Sequence, residues 1–497
     1  MGHNIRACRG VNTIQRLRNM PKDSLIKRAR RNIFYKILSE STRVLPALLF
    51  IYIARKLGDE NFGKLSFAYS FAGICFIMAD FGLSTILIRN VSRQKELTKE
   101  YVGNILALKI VLSFICISVI GLFVLFTDYP ADVITLLVIF GGVMFFRSLI
   151  DFFCAVFNAH ERMDIEALLK GTNHILLFSS GIVVLAVGFG LFGLANVFLV
   201  VYSISSIIGF YIVYVSIVKI RPSFDLRFWK YIFRESLPLA LTVIFTVIYF
   251  KIDVVMLSLI RGNNSEIGWY SAAMRLVELI GVIPALVVSA LFPIVSGLHR
   301  ESIDSLRKVY KTSFRYLVVI ALPIAVGTLL LSGHLIYTIY GEEYVKTIPA
   351  LKILSLALVF IFVNYILMNI LVAVDRQMTN AIMAGTCVFV NIALNMCLIP
   401  HYGYLGAGTA TVITEIVLFS LGLYYVAKYI CKINIVAVVS KPFISVAIMG
   451  TFIVLATAKL NLAFVIVLSA LTYFTCLLLF RFFTKEDKVI LMHLIRK

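Results

Sequence analysis

The chain has 497 residues, 60% of them hydrophobic and only 15% charged, with a mean hydropathy of +0.95. A water-soluble domain carries about a quarter charged residues, so the composition excludes a soluble globular protein. The formal charge of +21 does not point to nucleic acid, because Lys and Arg gather in alternate loops between apolar runs, which is a pattern of membrane orientation.

Residues 1–37 form a basic tail with ten Lys or Arg. Ile26, Ala29, Ile33 and Ile37 recur at helical spacing among Lys27, Arg28, Arg30 and Arg31. That fits an amphipathic helix on an anionic membrane surface, and equally a solvated tail that only fixes topology. Met20 is an alternative start to Met1, and no cleavable signal peptide is visible.

Apolar runs of about 20 residues, long enough to cross a bilayer as helices, then recur almost end to end. Fourteen are expected. The first six lie near 38–57, 62–88, 102–126, 131–157, 165–188 and 191–218. The next six lie near 236–260, 266–295, 313–335, 348–374, 378–399 and 404–428, and the last two near 440–458 and 461–482. The short alternating segments of a β-barrel are missing. Pro46, Pro238, Pro284, Pro293 and Pro323 lie in or at the ends of runs and are expected to bend them. With the N-terminus inside, 34 Lys or Arg fall in inside loops and tails against seven outside, so both termini are expected to be cytoplasmic. The eight cysteines form no CxxC pair and read as small packing residues, with neither disulfide nor metal implied.

The chain also repeats itself. Gly63-Lys64-Leu65-Ser66 corresponds to Gly268-Trp269-Tyr270-Ser271, and Gly190-Leu191-Phe192-Gly193 to Gly403-Tyr404-Leu405-Gly406. Met163 and Met378 follow similar loops. The offsets are 205, 213 and 215 residues, with six runs between equivalents, so both halves enter the membrane in the same direction. The expected fold is an all-α polytopic membrane protein of about 14 transmembrane helices, in two pseudo-symmetric six-helix bundles plus two extra C-terminal helices. Its parts are a basic cytoplasmic tail at 1–37, an N-lobe at 38–220, a C-lobe at 221–430, and the last two helices with a cytoplasmic tail at 431–497.

Ionisable groups inside the runs are costly in lipid and mark functional positions. Thr242, Thr246, Tyr249 and Asp253 make one polar stripe, as do Ser66, Ser70, Gly73, Asp80 and Ser84. Lys251 points away from the Asp253 stripe, toward another neighbour or outward. Arg147 with Asp151, and Arg275 with Glu278, are pairs at helical spacing that could stitch helices together or line a cavity. The first half holds Arg43, Lys109, Arg147 and Lys170 against Asp80 and Asp151, while the second holds Lys251 and Arg275 against Asp253, Glu278 and Glu415. A cationic first bundle suits an anionic phosphate, and an acid-rich second bundle suits H+ or Na+. The expected substrate-binding cavity residues are therefore Arg43, Lys109, Arg147, Lys170, Lys251 and Arg275; the expected ion-coupling residues are Asp80, Asp253, Glu278 and Glu415. Asn364, Asn369, Asn391 and Asn395 are read as hydrogen bonding between helices rather than to sugar.

Several stretches resemble one family: FKIDVVMLSLI, EIGWYSAAMRLVEL, ALFPIVS, YGYLGAGTATVITE and GKLSFAYSFAGICFIMADFGL. Over residues 35 to 430 the chain is similar to the polysaccharide and O-antigen flippases of the multidrug/oligosaccharidyl-lipid/polysaccharide (MOP) exporter superfamily. The resemblance implies two bundles around a largely cationic cavity, and alternating access for a lipid-linked oligosaccharide carried on a polyprenyl phosphate or diphosphate. It implies a multi-pass protein of the cytoplasmic membrane, not an enzyme, acting as a monomer alone or beside a polysaccharide polymerase or glycosyltransferases. No GxxxxGK[ST] loop is present, so an ion gradient or the membrane potential, as in an antiporter, is the expected energy source; no other cofactor is expected. The alternatives are a cation-coupled multidrug exporter of the same superfamily, with a more acidic cavity, or a membrane polymerase or ligase, which would need a larger outside loop than the one near Glu342 and Glu343.

Overall fold

The computed structural model describes residues 44–457 and 460–482, with residues 31, 35, 39, 41 and 42 ahead of them. Ile26, Ala29, Ile33 and Ile37 of the basic tail, and Arg43, lie outside the described residues.

Among the described residues all regular structure is helical. In lipid a helix satisfies its own backbone groups, so this is the form expected of apolar runs of this length. The helices are α1 (Val44–Asp80), α2 (Leu83–Arg93), α3 (Thr98–Leu125), α4 (Ala131–Ala159), α5 (Met163–Val187), α6 (Gly190–Ser216) and α7 (Leu226–Arg261). They continue as α8 (Asn264–Glu301), α9 (Ile303–Ile339), α10 (Thr347–Ala373), α11 (Gln377–Tyr402), α12 (Tyr404–Tyr429), α13 (Ile435–Ala456) and α14 (Leu462–Leu479).

Thirteen helical stretches are long and apolar enough to cross a membrane, the first being Val44–Arg93 with 50 residues. Fifty residues of helix would be about 75 Å long, more than twice the thickness of the hydrocarbon core. Gly58 divides that stretch: its φ of 77° and ψ of 172° are not helical. Gly58 falls between the first two apolar runs expected from the sequence, which this one stretch takes together. A second break follows Asp80, where Phe81 (φ 39°) and Gly82 (φ 72°) separate α1 from α2. Helices α7 and α8 run unbroken through Pro238, Pro284 and Pro293.

The repeat is visible in the backbone. At the α4–α5 turn, Glu161 has φ 58°, and the Arg162 N–H donates to the Phe157 carbonyl at 2.9 Å. At the α10–α11 turn, Asp375 has φ 61°, and the Arg376 N–H donates to the Leu371 carbonyl at 2.8 Å. The α5–α6 and α11–α12 turns both use glycines of positive φ, Gly190 and Gly403.

By packing, the chain divides into two units: Met1–Leu57 with Lys64–Val255, and Gly58–Gly63 with Met256–Lys497. The division therefore falls inside α7 rather than near residue 220. The reason is visible in unit 1, where the first half of α7 and its leader are tied to earlier helices. The Arg89 guanidinium donates to the Glu235 carboxylate, Phe81 and Phe233 pack with ring centroids 4.4 Å apart, and the Asp225 N–H donates to Asn104 Oδ1 at 3.1 Å. Lys251 and Asp253, counted with the second half from sequence, belong to unit 1 by this division.

Unit 2 takes in the short tip Gly58–Gly63, and the two repeated turns meet there. A Cβ on Gly63 would lie 1.8 Å from the Asn264 carbonyl oxygen, and one on Gly268 2.0 Å from that of Asp59. Residues 59 and 264, and 63 and 268, are equivalent at the 205-residue offset, so the contact is reciprocal and only glycine fits either side. The Trp269 indole N–H donates to Asp59 Oδ2 at 2.6 Å beside it. Helices α13 and α14 belong to unit 2 and pack on α9, where the Tyr473 hydroxyl donates to the Val319 carbonyl at 2.8 Å.

Candidate substrate-binding and coupling site

In unit 1 three helices bring charged and aromatic side chains to one residue, Tyr69 of α1. Arg147 of α4 donates from Nη1 to the Tyr69 hydroxyl at 2.7 Å. Lys251 of α7 sets its ammonium 4.3 Å from the centre of the Tyr69 ring, within the reach of a cation–π contact. One turn along α1, Gly73 leaves room for the lysine stem; a Cβ there would lie 3.0 Å from Lys251 Cε. Phe50 and Phe140 meet the Tyr69 ring edge-on at 5.5 and 5.8 Å and hold it in place. Tyr202 of α6 and Asp151 are further electrostatic neighbours of Arg147. Arg147, Lys251, Tyr69 and Tyr202 are all partly buried.

Among the described residues no carboxylate forms an ion pair with Arg147. The helical pairing of Arg147 with Asp151 is thus replaced by a bond to a tyrosine 78 residues away. Lys251 is turned inward onto that same ring. Two cations within the membrane-spanning helices of unit 1 thus share one neutral phenol.

The other expected cavity cations are placed differently. Lys109 is fully buried and donates to Asp80 Oδ1 at 2.6 Å, and the Ser84 hydroxyl donates to the same oxygen at 2.5 Å. This pair spans the break between α1 and α2 and closes on itself, so neither residue faces a cavity as a lone charge. Lys170 donates to Glu166 one turn back at 2.6 Å. In unit 2 Arg275 donates to Glu278 at 2.8 Å, the helical pair expected from its spacing, with Glu278 the more exposed partner.

The remaining expected coupling acids are deeply buried. Asp253 in α7 is 4% exposed. Glu415 in α12 is also 4% exposed and accepts from Asn364 Nδ2 of α10 at 2.7 Å, while the same amide donates to the Glu415 backbone carbonyl at 3.1 Å. Asn364 thus bonds between helices as expected, whereas Asn369 donates to the Tyr365 carbonyl of its own helix at 2.8 Å; Asn380 of α11, not among the expected residues, donates to the Met368 carbonyl of α10 at 2.8 Å. Asn395, like Asn369, donates within its own helix, to Asn391 at 2.9 Å. Among the described residues no group of three or more His, Cys, Asp or Glu converges as a metal site requires. Tyr69 and Tyr202 are the residues missed from sequence; the available signal was Tyr69 lying four residues before Gly73 in the stripe already noted.

A family model described as polysaccharide biosynthesis protein matches residues 29–299, more than half of the chain. The chain belongs to that family. Within it, and within the MOP superfamily, its relatives are distant. It is 22% identical over 417 residues to the capsular polysaccharide biosynthesis protein CapF of Staphylococcus aureus, covering 80% of this chain and 99% of CapF. It is 24% identical over 438 residues to a putative O-antigen transporter of Shigella flexneri, covering 82% of this chain and 99% of the relative. A second model, lipid II flippase MurJ, matches residues 252–475. The fold is similar to that of lipid II flippase MurJ in an inward closed conformation, with a TM-score of 0.73 at 18% identity, over 90% of this chain and 98% of that one. It is also similar to an inward-facing multidrug resistance MATE family transporter, with a TM-score of 0.64 at 18% identity, over 78% and 94% of the two chains.

Proposed function

We propose that this member of the family flips a polyprenyl-(di)phosphate-linked oligosaccharide from the inner to the outer leaflet of the cytoplasmic membrane by alternating access, for cell-surface polysaccharide or glycoconjugate synthesis. The observation that carries this reading is the convergence of Arg147 and Lys251 on Tyr69. Two like charges brought to one ring in a low-dielectric setting repel. A phosphate or diphosphate would neutralise both, and arginine is suited to bidentate bonding of its oxygens. The sugar cannot cross hydrocarbon unaided, while the polyprenyl tail stays in the bilayer. The relatives named for capsular polysaccharide, O-antigen and lipid II support this substrate class.

In this reading H+ or Na+ acts through the buried acids, Glu415 and Asp253 foremost, with Glu278 at the surface of unit 2, and an ion gradient or the membrane potential drives the cycle. No covalent step is involved. Both termini lie in the cytoplasm, and the protein works as a monomer beside the polymerase or glycosyltransferases that make and consume its substrate.

The test is reconstitution. Vesicles holding the purified protein and a fluorescent polyprenyl-diphosphate oligosaccharide are treated with a membrane-impermeant quencher, with and without an ion gradient. Protein-dependent, gradient-stimulated movement of the label is expected; a rate equal to that of protein-free vesicles would overturn the proposal. The MATE-like fold favours a second reading, export of lipophilic cations. Arg147 and Lys251 would repel such a substrate, so no gradient-driven transport of a dye cation is expected in the same vesicles.

A further inference from the structure

The first turns of α7 and the segment before them are packed into unit 1 along one face. The Ser223 N–H donates to the Gly103 carbonyl at 3.3 Å, and a Cβ on Gly103 would lie 2.5 Å from the Arg221 carbonyl oxygen, so the segment presses directly on α3. Asp225 Oδ1 accepts from the Arg227 and Phe228 N–H groups at 2.9 and 3.2 Å, which caps α7. Phe228, Trp229, Ile232 and Phe233 pack into the apolar core that α2 and α3 share, Tyr101 meets Phe228 edge-on at 5.0 Å, and Glu235 accepts from Arg89. Helical spacing puts Arg227, Lys230, Tyr231 and Arg234 opposite that core, and all four are exposed.

We propose that this outer face is a docking surface for the headgroups of anionic phospholipids in the leaflet on its side of the membrane. Charge complementarity is the first argument. Lys219 and Arg221, also exposed, bring the cations to five, and the one acid in residues 219–234, Asp225, is engaged by the cap. The second is the company the cations keep: Phe224, Leu226 and Tyr231 are 70%, 74% and 54% exposed. Cations interleaved with bare aromatic and aliphatic groups fit a bilayer interface, where the rings reach the acyl boundary and the cations meet lipid phosphates. The third is position. The 36 residues of α7 make about 54 Å of helix, and its candidate span is Ala240–Arg261, so the turns before it start beyond the hydrocarbon. The contacts to α2 and α3 hold the surface in shape before lipid arrives, which lowers the cost of ordering it. From there α7 continues past Val255 into unit 2, so lipid on its first turns steadies the helix that joins the units.

Native mass spectrometry of the purified full chain in detergent, titrated with phosphatidylglycerol or phosphatidylcholine, counts bound lipid and needs no transport. The parent should hold phosphatidylglycerol in preference to phosphatidylcholine. Arg227→Gln, Lys230→Gln and Arg234→Gln together should weaken its tightest phosphatidylglycerol binding about a hundredfold, about fivefold for each charge removed. If that triple variant is not recovered folded, Lys230→Gln alone and its fivefold loss decide. Phosphatidylglycerol should also raise the thermal unfolding temperature of the parent and not of the triple variant. Lys308→Gln, Lys311→Gln and Lys432→Gln together remove three exposed cations from unit 2 and should leave the binding as it was. Parental binding by the triple variant, an equal loss in the unit 2 control, or no preference for the anionic lipid each overturns the proposal. Added polyprenyl diphosphate should not displace the phospholipid. If it does, and the triple variant loses both, the surface serves the phosphate-bearing substrate and the phospholipid assignment falls.

Discussion

The α4–α5 turn of unit 1 and the α10–α11 turn of unit 2 make the same backbone hydrogen bonds between equivalent residues, yet the two units carry different buried polar groups. Unit 1 presents two partly buried cations around a neutral tyrosine. Unit 2 presents Glu415, deeply buried and held by an asparagine amide. The duplicated turns fix where helices begin and end, and a few side chains within the same frame decide what each unit binds. Unit 1 has a contrast of its own: Lys109 is spent on Asp80, whereas Arg147 is not spent on any described carboxylate.

The largest effect expected is on that closed pair. Lys109→Met would strand Asp80 and cost about 3–5 kcal/mol of stability, and Asp80→Asn added to it should recover most of the loss. Thermal unfolding in detergent reads both. A single variant as stable as the parent would break the contrast and return Lys109 to the cavity. Next in size is Arg147→Gln. The fold should survive, while flipping falls about a hundredfold, the rate equivalent of a lost charged contact of about 2.7 kcal/mol. Unfolding without loss of flipping in the remaining folded fraction would make Arg147 structural. Smaller again is Glu415→Gln, which keeps an acceptor for the Asn364 amide and removes only the charge. Flipping should fall about tenfold and lose its response to the ion gradient, with little change in stability. A retained gradient response would take coupling away from Glu415 and leave it to Asp253 of unit 1.

These sites were unequally legible in the sequence. Run length gave the helices, because apolar stretches of a bilayer's thickness have few alternatives. Helical spacing was enough for Arg275 with Glu278. It failed for Arg147, whose partner lies 78 residues away. The one local mark on Tyr69 is its place four residues before Gly73 in a polar stripe, which does not by itself point to Arg147 or Lys251. The unit boundary was hidden for a related reason: a sequence repeat ends at a loop, whereas packing divides α7 in mid-helix. The matched glycines were visible at 63 and 268, but that they press on each other's turns is a property of the folded chain.

The smallest effect expected tests whether the two turns differ in more than name. At the end of α4 unit 1 carries His160, and at the equivalent end of α10 unit 2 carries Val374. The imidazole Nδ1 lies 3.0 Å from the Val156 carbonyl and Nε2 lies 3.1 Å from the Thr98 hydroxyl. Burial holds the ring below the ordinary histidine value of 6.5, the Val156 bond opposes this, and Lys95 adds to it. The neutral ring is therefore the native form, and the unfolded chain takes up its proton first as pH falls. The stability this contributes is fully present above pH 6.5 and is lost as pH drops from there through the depressed native value. His160→Val, which copies unit 2, should flatten that part of the pH dependence by a fraction of a kcal/mol without changing stability order at higher pH. Thermal unfolding of both proteins at about pH 7.5 and about pH 5.5 measures it. If the parent and the variant lose the same amount on acidification, the two turns are equivalent in their protons as well as in their backbones.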